Sequence, residues 1–171
     1  MKQFLFYILL AFTLTPVNLF GQTDLSKDPE VIKLNAIINN VNSHDTAIAS
    51  SYMELANIYY LSNIDTIFTL SELTRQQCEI GLKKSPSSEV RNRLLTYKAG
   101  AYNNDAFVLQ TKGQNELATR NYTEAILIQQ AVGDMDGLAL SINNLGQVYE
   151  NDGKIQLALD CYQKSRIIQE Q

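Results

Sequence analysis

The residues AYNNDAFVLQTKGQNELATRNYTEA, 101 to 125, return in register as SINNLGQVYENDGKIQLALDCYQKS, 141 to 165. Gly113 and Gly153, Ala118 and Ala158, Tyr122 and Tyr162, Asn103-Asn104 and Asn143-Asn144, and Ile128-Gln129 and Ile168-Gln169 are each forty residues apart. A sequence that repeats at a fixed period of this length folds as stacked copies of one supersecondary unit. That constraint fixes the kind of core available and works against a single deep catalytic pocket.

From Asp28 onward the apolar residues follow a helical period, with no useful length of alternating strand pattern. Asp28-Pro29 reads as a cap and first-turn proline, with Val31, Leu34, Ile38 and Val41 as the apolar stripe of the first helix. Asn42 to Asp45 breaks it, with Asp45 expected as the cap of the next helix, which runs to about Leu61. A third helix is expected from Asp65 to Lys84, and a fourth from Ser85-Pro86 to Lys112, closed by Gly113. The last three are Asn115 to Val132, Met135 to Asn151, and Lys154 to the end, with stop signals at Gly133-Asp134 and Asp152-Gly153 between them. Turns this short force antiparallel pairs, and neither member of a pair can bury its apolar stripe alone. The reading is all-α: an N-terminal helix at 22–46, a degenerate pair at 47–84, and two further units at 85–133 and 134–171.

The apolar fraction of 45% is enough for a real core, which excludes a disordered chain. A formal charge of −4 excludes a general nucleic-acid binder, since the only basic concentration is Lys83, Lys84, Arg91, Arg93 and Lys98 around a helix junction. Lys2, the apolar run Phe4 to Leu14, and then Pro16 compose a secretory signal over residues 1–21, with cleavage after Gly21. The expected location is therefore periplasmic or secreted. The alternative is a membrane anchor at 4–20, which Thr13, Thr15, Pro16 and Asn18 interrupt. Cys78 and Cys161 fall on second helices of units two apart, beyond the separation of about 7 Å that a bridge tolerates. Both are expected as buried thiols.

Ile142-x-x-Leu145-Gly146-x-x-Tyr149 followed by Ala158-x-x-x-Tyr162 resembles the tetratricopeptide repeat signature. Gly146 and Ala158 are small where two helices of a pair cross closely, and Tyr149 and Tyr162 are large enough to fill the gap to a neighbouring unit. The preceding unit repeats the scheme with Tyr102, Ala106, Leu109, Ala118 and Tyr122, but places Asp105 where Leu145 stands. A buried carboxylate needs a partner or a looser unit around it. A third, weaker copy is Tyr52-x-x-Leu55-Ala56-x-x-Tyr59, displaced by fifty residues, with Ser85 to Arg93 as the added length. Tyr52, Tyr59, Tyr102, Tyr122, Tyr149 and Tyr162 are expected as packing residues. The resemblance implies a right-handed superhelical solenoid and covers about Ala47 to Gln171. The forty-residue spacing is similar to that of arrays in exported bacterial proteins.

The same resemblance places a partner-binding surface on the first helix of each unit. By position these residues are Met53, Asn57 and Tyr60, then Asn103, Phe107 and Gln110, then Asn143, Gln147 and Glu150. The set is rich in amides and lacks the Lys and Arg with which some members of the family clamp a peptide carboxylate, so no such clamp is expected. The implied function is a non-enzymatic, exported module that binds a protein or peptide in its concave groove, without a cofactor. The alternative is the extracytoplasmic sensory region of a membrane-bound histidine kinase or transcriptional regulator. His44 beside Asp45 has no Ser or Cys nucleophile that can be tied to it, and no metal spacing or phosphate loop accompanies it. Asn121-Tyr122-Thr123 lies inside a helix with Tyr122 packed and does not indicate glycosylation.

Overall fold

The computed structural model describes residues 25–60 and 62–170. The segment read as a secretory signal lies outside the described residues. After a short 3-10 turn at Leu25–Lys27 come α1 (Pro29–Asn39), α2 (Asp45–Tyr59), α3 (Ile64–Lys83), α4 (Ser88–Thr111), α5 (Asn115–Val132), α6 (Met135–Asn151) and α7 (Ile155–Gln169). Among the described residues every regular element is helical. No helix among them is long and apolar enough to cross a membrane.

Local chemistry sets most of the boundaries. Asp28 Oδ1 accepts from the backbone of Glu30 at 2.8 Å and Val31 at 3.3 Å, so two orphan amides of α1 are satisfied, with Pro29 at the first turn. Val41 is 96% exposed, because α1 ends at Asn39 and the stripe does not reach it. The cap of α2 is His44 rather than Asp45: its Nδ1 accepts from the Thr46 amide at 3.3 Å. Asp45 instead reaches α3 and the turn after it, accepting from Gln77 Nε2 at 2.8 Å and Lys84 Nζ at 2.8 Å. The fourth helix starts later than Ser85-Pro86, since Ser87 Oγ accepts from the Val90 amide at 3.4 Å and Ser85 to Ser87 form the connector. Lys84 and Lys98 of the basic junction are engaged, with Asp45 at 2.8 Å and Glu79 at 3.2 Å.

The forty-residue register is preserved in the backbone. Gly113 N donates to Gln110 O and Gly153 N to Glu150 O, both at 2.9 Å, while Gln114 N donates to Leu109 O at 2.9 Å and Lys154 N to Tyr149 O at 2.8 Å. Gly113 and Gly153 have φ of 71° and 70°, the left-handed region that a side chain disfavours. The pairs α4–α5 and α6–α7 are thus equivalent hairpins. Adjacent helices pack along the whole chain, and α2 also touches α4, and α4 touches α6, whereas α3 does not reach α5 and α5 does not reach α7. The first helices of the units are therefore drawn together, which curves the stack so that α2, α4 and α6 line its inner side.

Three apolar clusters hold the stack. Val31, Leu34, Leu55, Ile67, Leu70 and Val108 join α1 to α4. Ala106, Ala118, Tyr122, Leu145 and Val148 join α4, α5 and α6, with Tyr149 packed against them from the last unit. Ala49, Cys78 and Leu94 close the junction of α2, α3 and α4. Of the six tyrosines expected to pack, Tyr122 alone is fully buried and the others are half-buried. Tyr162 lies against Gly146 of its own hairpin and not against a neighbouring unit: a Cβ on Gly146 would stand 2.7 Å from the Tyr162 ring. Both cysteines are free, with Cys78 buried and Cys161 only half-buried on α7. Burial pushes the Cys78 thiol up to about 12, which makes it inert at neutral pH.

Asp105 does have its partner. Arg75 of α3 donates through Nη1 to Asp105 Oδ2 and through Nη2 to Glu72, and its guanidinium lies 5.2 Å from the Tyr102 ring. Burial pushes the Asp105 carboxyl up to about 6 against the pull of Arg75. The carboxylate thus locks the degenerate α2–α3 pair onto the unit that follows it.

Candidate functional site

The inner side of the stack carries a cleft of about 400 Å³ where α2, α4 and α6 converge. Helix α2 contributes Ser50, Met53, Glu54 and Asn57. Helix α4 contributes Thr96, Tyr97, Gly100, Asn103 and Asn104. The far wall is Gly137 and Leu140 of α6, with Gln129 from the last turns of α5 and Asp134 from the turn between the two helices.

One glycine lets α2 and α4 approach, and a second leaves room within the far wall. A Cβ on Gly100 would meet the Met53 methyl at 2.8 Å, and one on Gly137 would meet Asp134 Oδ2 at 2.5 Å and Gln129 Nε2 at 2.8 Å. Asp134 Oδ1 caps α6 by accepting from the Gly137 amide at 3.0 Å. Asn103 Oδ1 accepts from Ser141 Oγ at 3.1 Å and from Asn144 Nδ2 at 3.4 Å, tying α4 to α6 beneath the cleft. Gln129 is 4% exposed, and its Oε1 has no hydrogen-bond partner.

The residues expected from the sequence divide into four sets. Met53, Asn57 and Asn103 line the cleft. Tyr60 and Phe107 lie further along the same helices, where their rings stack with centroids 4.7 Å apart and planes 24° from parallel, bridging α2 to α4. Gln110 and Glu150 are occupied within their own hairpins, accepting from Tyr122 Oη at 3.1 Å and Tyr162 Oη at 2.6 Å. Gln147 is exposed and Asn143 half-buried on α6, and it is Asn144, one residue on, that bonds Asn103.

Sequence reasoning missed the upper wall: Gly100, Gln129, Asp134, Gly137 and Leu140. Its signal was present. Stepping back from Asn103 by three gives Gly100, and from Asn143 by three gives Leu140, the same face one turn earlier. Gln129 stands out in the sequence only as a member of a repeated Ile-Gln pair. Asn121 of the sequon-like triplet donates its Nδ2 to Leu117 O at 3.0 Å, and Tyr122 beside it is buried.

Residues 97–171 match the family model described as Tetratricopeptide repeat, from within α4 through α7. No curated protein and no solved structure matched the chain. The matched stretch contains the hairpins with equivalent turns at Gly113 and Gly153, and leaves the α2–α3 pair outside it. Residues 97–171 are therefore similar to the tetratricopeptide repeat, a class of helical repeat that serves protein–protein interaction.

Proposed function

We propose that the chain docks a protein or peptide segment along the inner side of α2, α4 and α6, and acts by binding rather than by catalysis. The observation that carries this reading is the continuity of polar and aromatic side chains from Met53 and Asn103 in the cleft, through the Tyr60–Phe107 stack, to the exposed Gln147. Solvent-facing amides offer donors and acceptors to an extended backbone, and the stacked rings offer an apolar anchor. A photo-crosslinking side chain placed at Gln147 should capture a partner that the same group at Leu127, exposed on α5, does not. Equal capture from both positions would discard the inner face as the docking surface. Phe107→Ala with Gln147→Ala should abolish binding of that partner while the chain stays helical, with a lower melting temperature because the Phe107 ring also packs on Tyr60 and on the apolar cluster beneath it.

Lys2 and the apolar run that follows it support export, so the partner would be met outside the cytoplasm. N-terminal sequencing of the native product checks this. Gln22 as its first residue is the expected result, and Met1 would remove export by cleavage.

A further inference from the structure

We propose that the cleft beside Gln129 receives a lysine or arginine side chain of the docked segment, an assignment that rests on the groove reading above. Two acidic residues line the cleft, Glu54 on α2 and Asp134 before α6, and no basic residue lines it. The remaining wall supplies amides, hydroxyls and short apolar groups. An anionic occupant would meet two carboxylates and no cation.

The second observation is independent of charge. Gln129 Oε1 is buried at the cleft wall with no donor to satisfy it, a situation that is unfavourable when nothing fills it. An ammonium brings three donors and no acceptor, and a guanidinium brings five. Either can serve Gln129 while facing Asp134, whose Oδ1 is taken by the α6 cap. The stem of a long basic side chain would lie against Met53 and Leu140. Lys33 of α1 feels Glu54 electrostatically but bonds Glu30 at 2.9 Å, so it leaves Glu54 available from the cleft side.

The test uses the full chain and two capped peptides, one of lysine, serine and asparagine, the other with glutamate in place of lysine. The lysine peptide should bind at least about tenfold more tightly, and its affinity should fall as salt is raised. Glu54→Gln with Asp134→Asn should remove about tenfold of that affinity, since asparagine still caps α6. Gln129→Met should weaken binding without changing its salt dependence. Equal or tighter binding of the glutamate peptide, no binding of the lysine peptide, or variants at full affinity would each overturn the proposal. So would free lysine amide competing as well as the peptide. Crosslinking from Gln147 that persists through any of these results would leave the groove standing, and loss of that selectivity would remove the groove itself.

Discussion

Tyr162 Oη donates to Glu150 Oε2 at 2.6 Å, and forty residues earlier Tyr122 Oη donates to Gln110 Oε1 at 3.1 Å. The bond joins the two helices of one hairpin at the same height in both units. Its acceptor has changed from amide to carboxylate, and a charged acceptor draws the hydroxyl closer. The bond to Glu150 is the main cause that raises the Tyr162 hydroxyl to about 12. Glu150→Gln should bring the ionisation of Tyr162 back towards an ordinary tyrosine's value of about 10, read by ultraviolet titration. No downward movement would show that the bond is not formed in solution. Tyr122→Phe, at a buried site, should cost about 1 kcal/mol.

The Arg75–Asp105 pair should give the chain a pH dependence of unusual sign. Folding raises this carboxyl from its ordinary 3.8 to about 6, so between those values the folded chain holds the proton more readily than the unfolded one. The contribution of Asp105 to stability is then greatest at low pH and declines as pH rises through about 6. Compared with Asp105→Asn, the native chain should gain in urea midpoint when the pH is lowered from 7 to 5. Arg75→Met should cost about 3–5 kcal/mol at neutral pH by stranding the carboxylate. Part of that loss should be recovered at pH 5, and a deficit of equal size at both pH values would reject the account.

Helices, turns and the unit repeat were legible in the sequence because each rests on short-range chemistry: apolar period, Gly at the stop, and identical residues at a fixed offset. The partner of Asp105 was not, because Arg75 lies thirty residues away on α3, in the unit that follows the repeat least closely. The capping role of His44 was hidden by Asp45, a better capping residue by type whose side chain is drawn off by Lys84 and Gln77. The cleft was half legible. Its side chains follow the helical face already identified, but the apposition of Gln129 and Asp134 to α2 depends on how strongly three first helices curve together. No local pattern encodes that curvature.

The equivalence of the two turns can be tested directly. Gly113 and Gly153 have nearly the same φ, and a Cβ at either would meet nothing within 4 Å. Substitution by alanine should therefore cost only the left-handed backbone strain, about 1–2 kcal/mol, and the same amount at both sites. Asparagine should cost less than alanine. Markedly unequal losses in thermal or urea unfolding would mean that the hairpins are not equivalent.

The closest crossing of the last hairpin is at Gly146, where a Cβ would stand 2.7 Å and 2.9 Å from two atoms of the Tyr162 ring and 3.1 Å from Cys161 Cβ. Gly146→Ala gains helix propensity of about 1 kcal/mol but overpacks this contact by about 1–3 kcal/mol. It should therefore lower the melting temperature. In a Tyr162→Ala background the ring is gone, and the same Gly146→Ala change should become neutral or stabilising, so that the two substitutions couple. Ala158, 2% exposed on the partner helix, gives a control without such rescue: Ala158→Leu should cost about 1–3 kcal/mol in either background. Additive losses for Gly146→Ala and Tyr162→Ala would show that the helices do not meet through this ring.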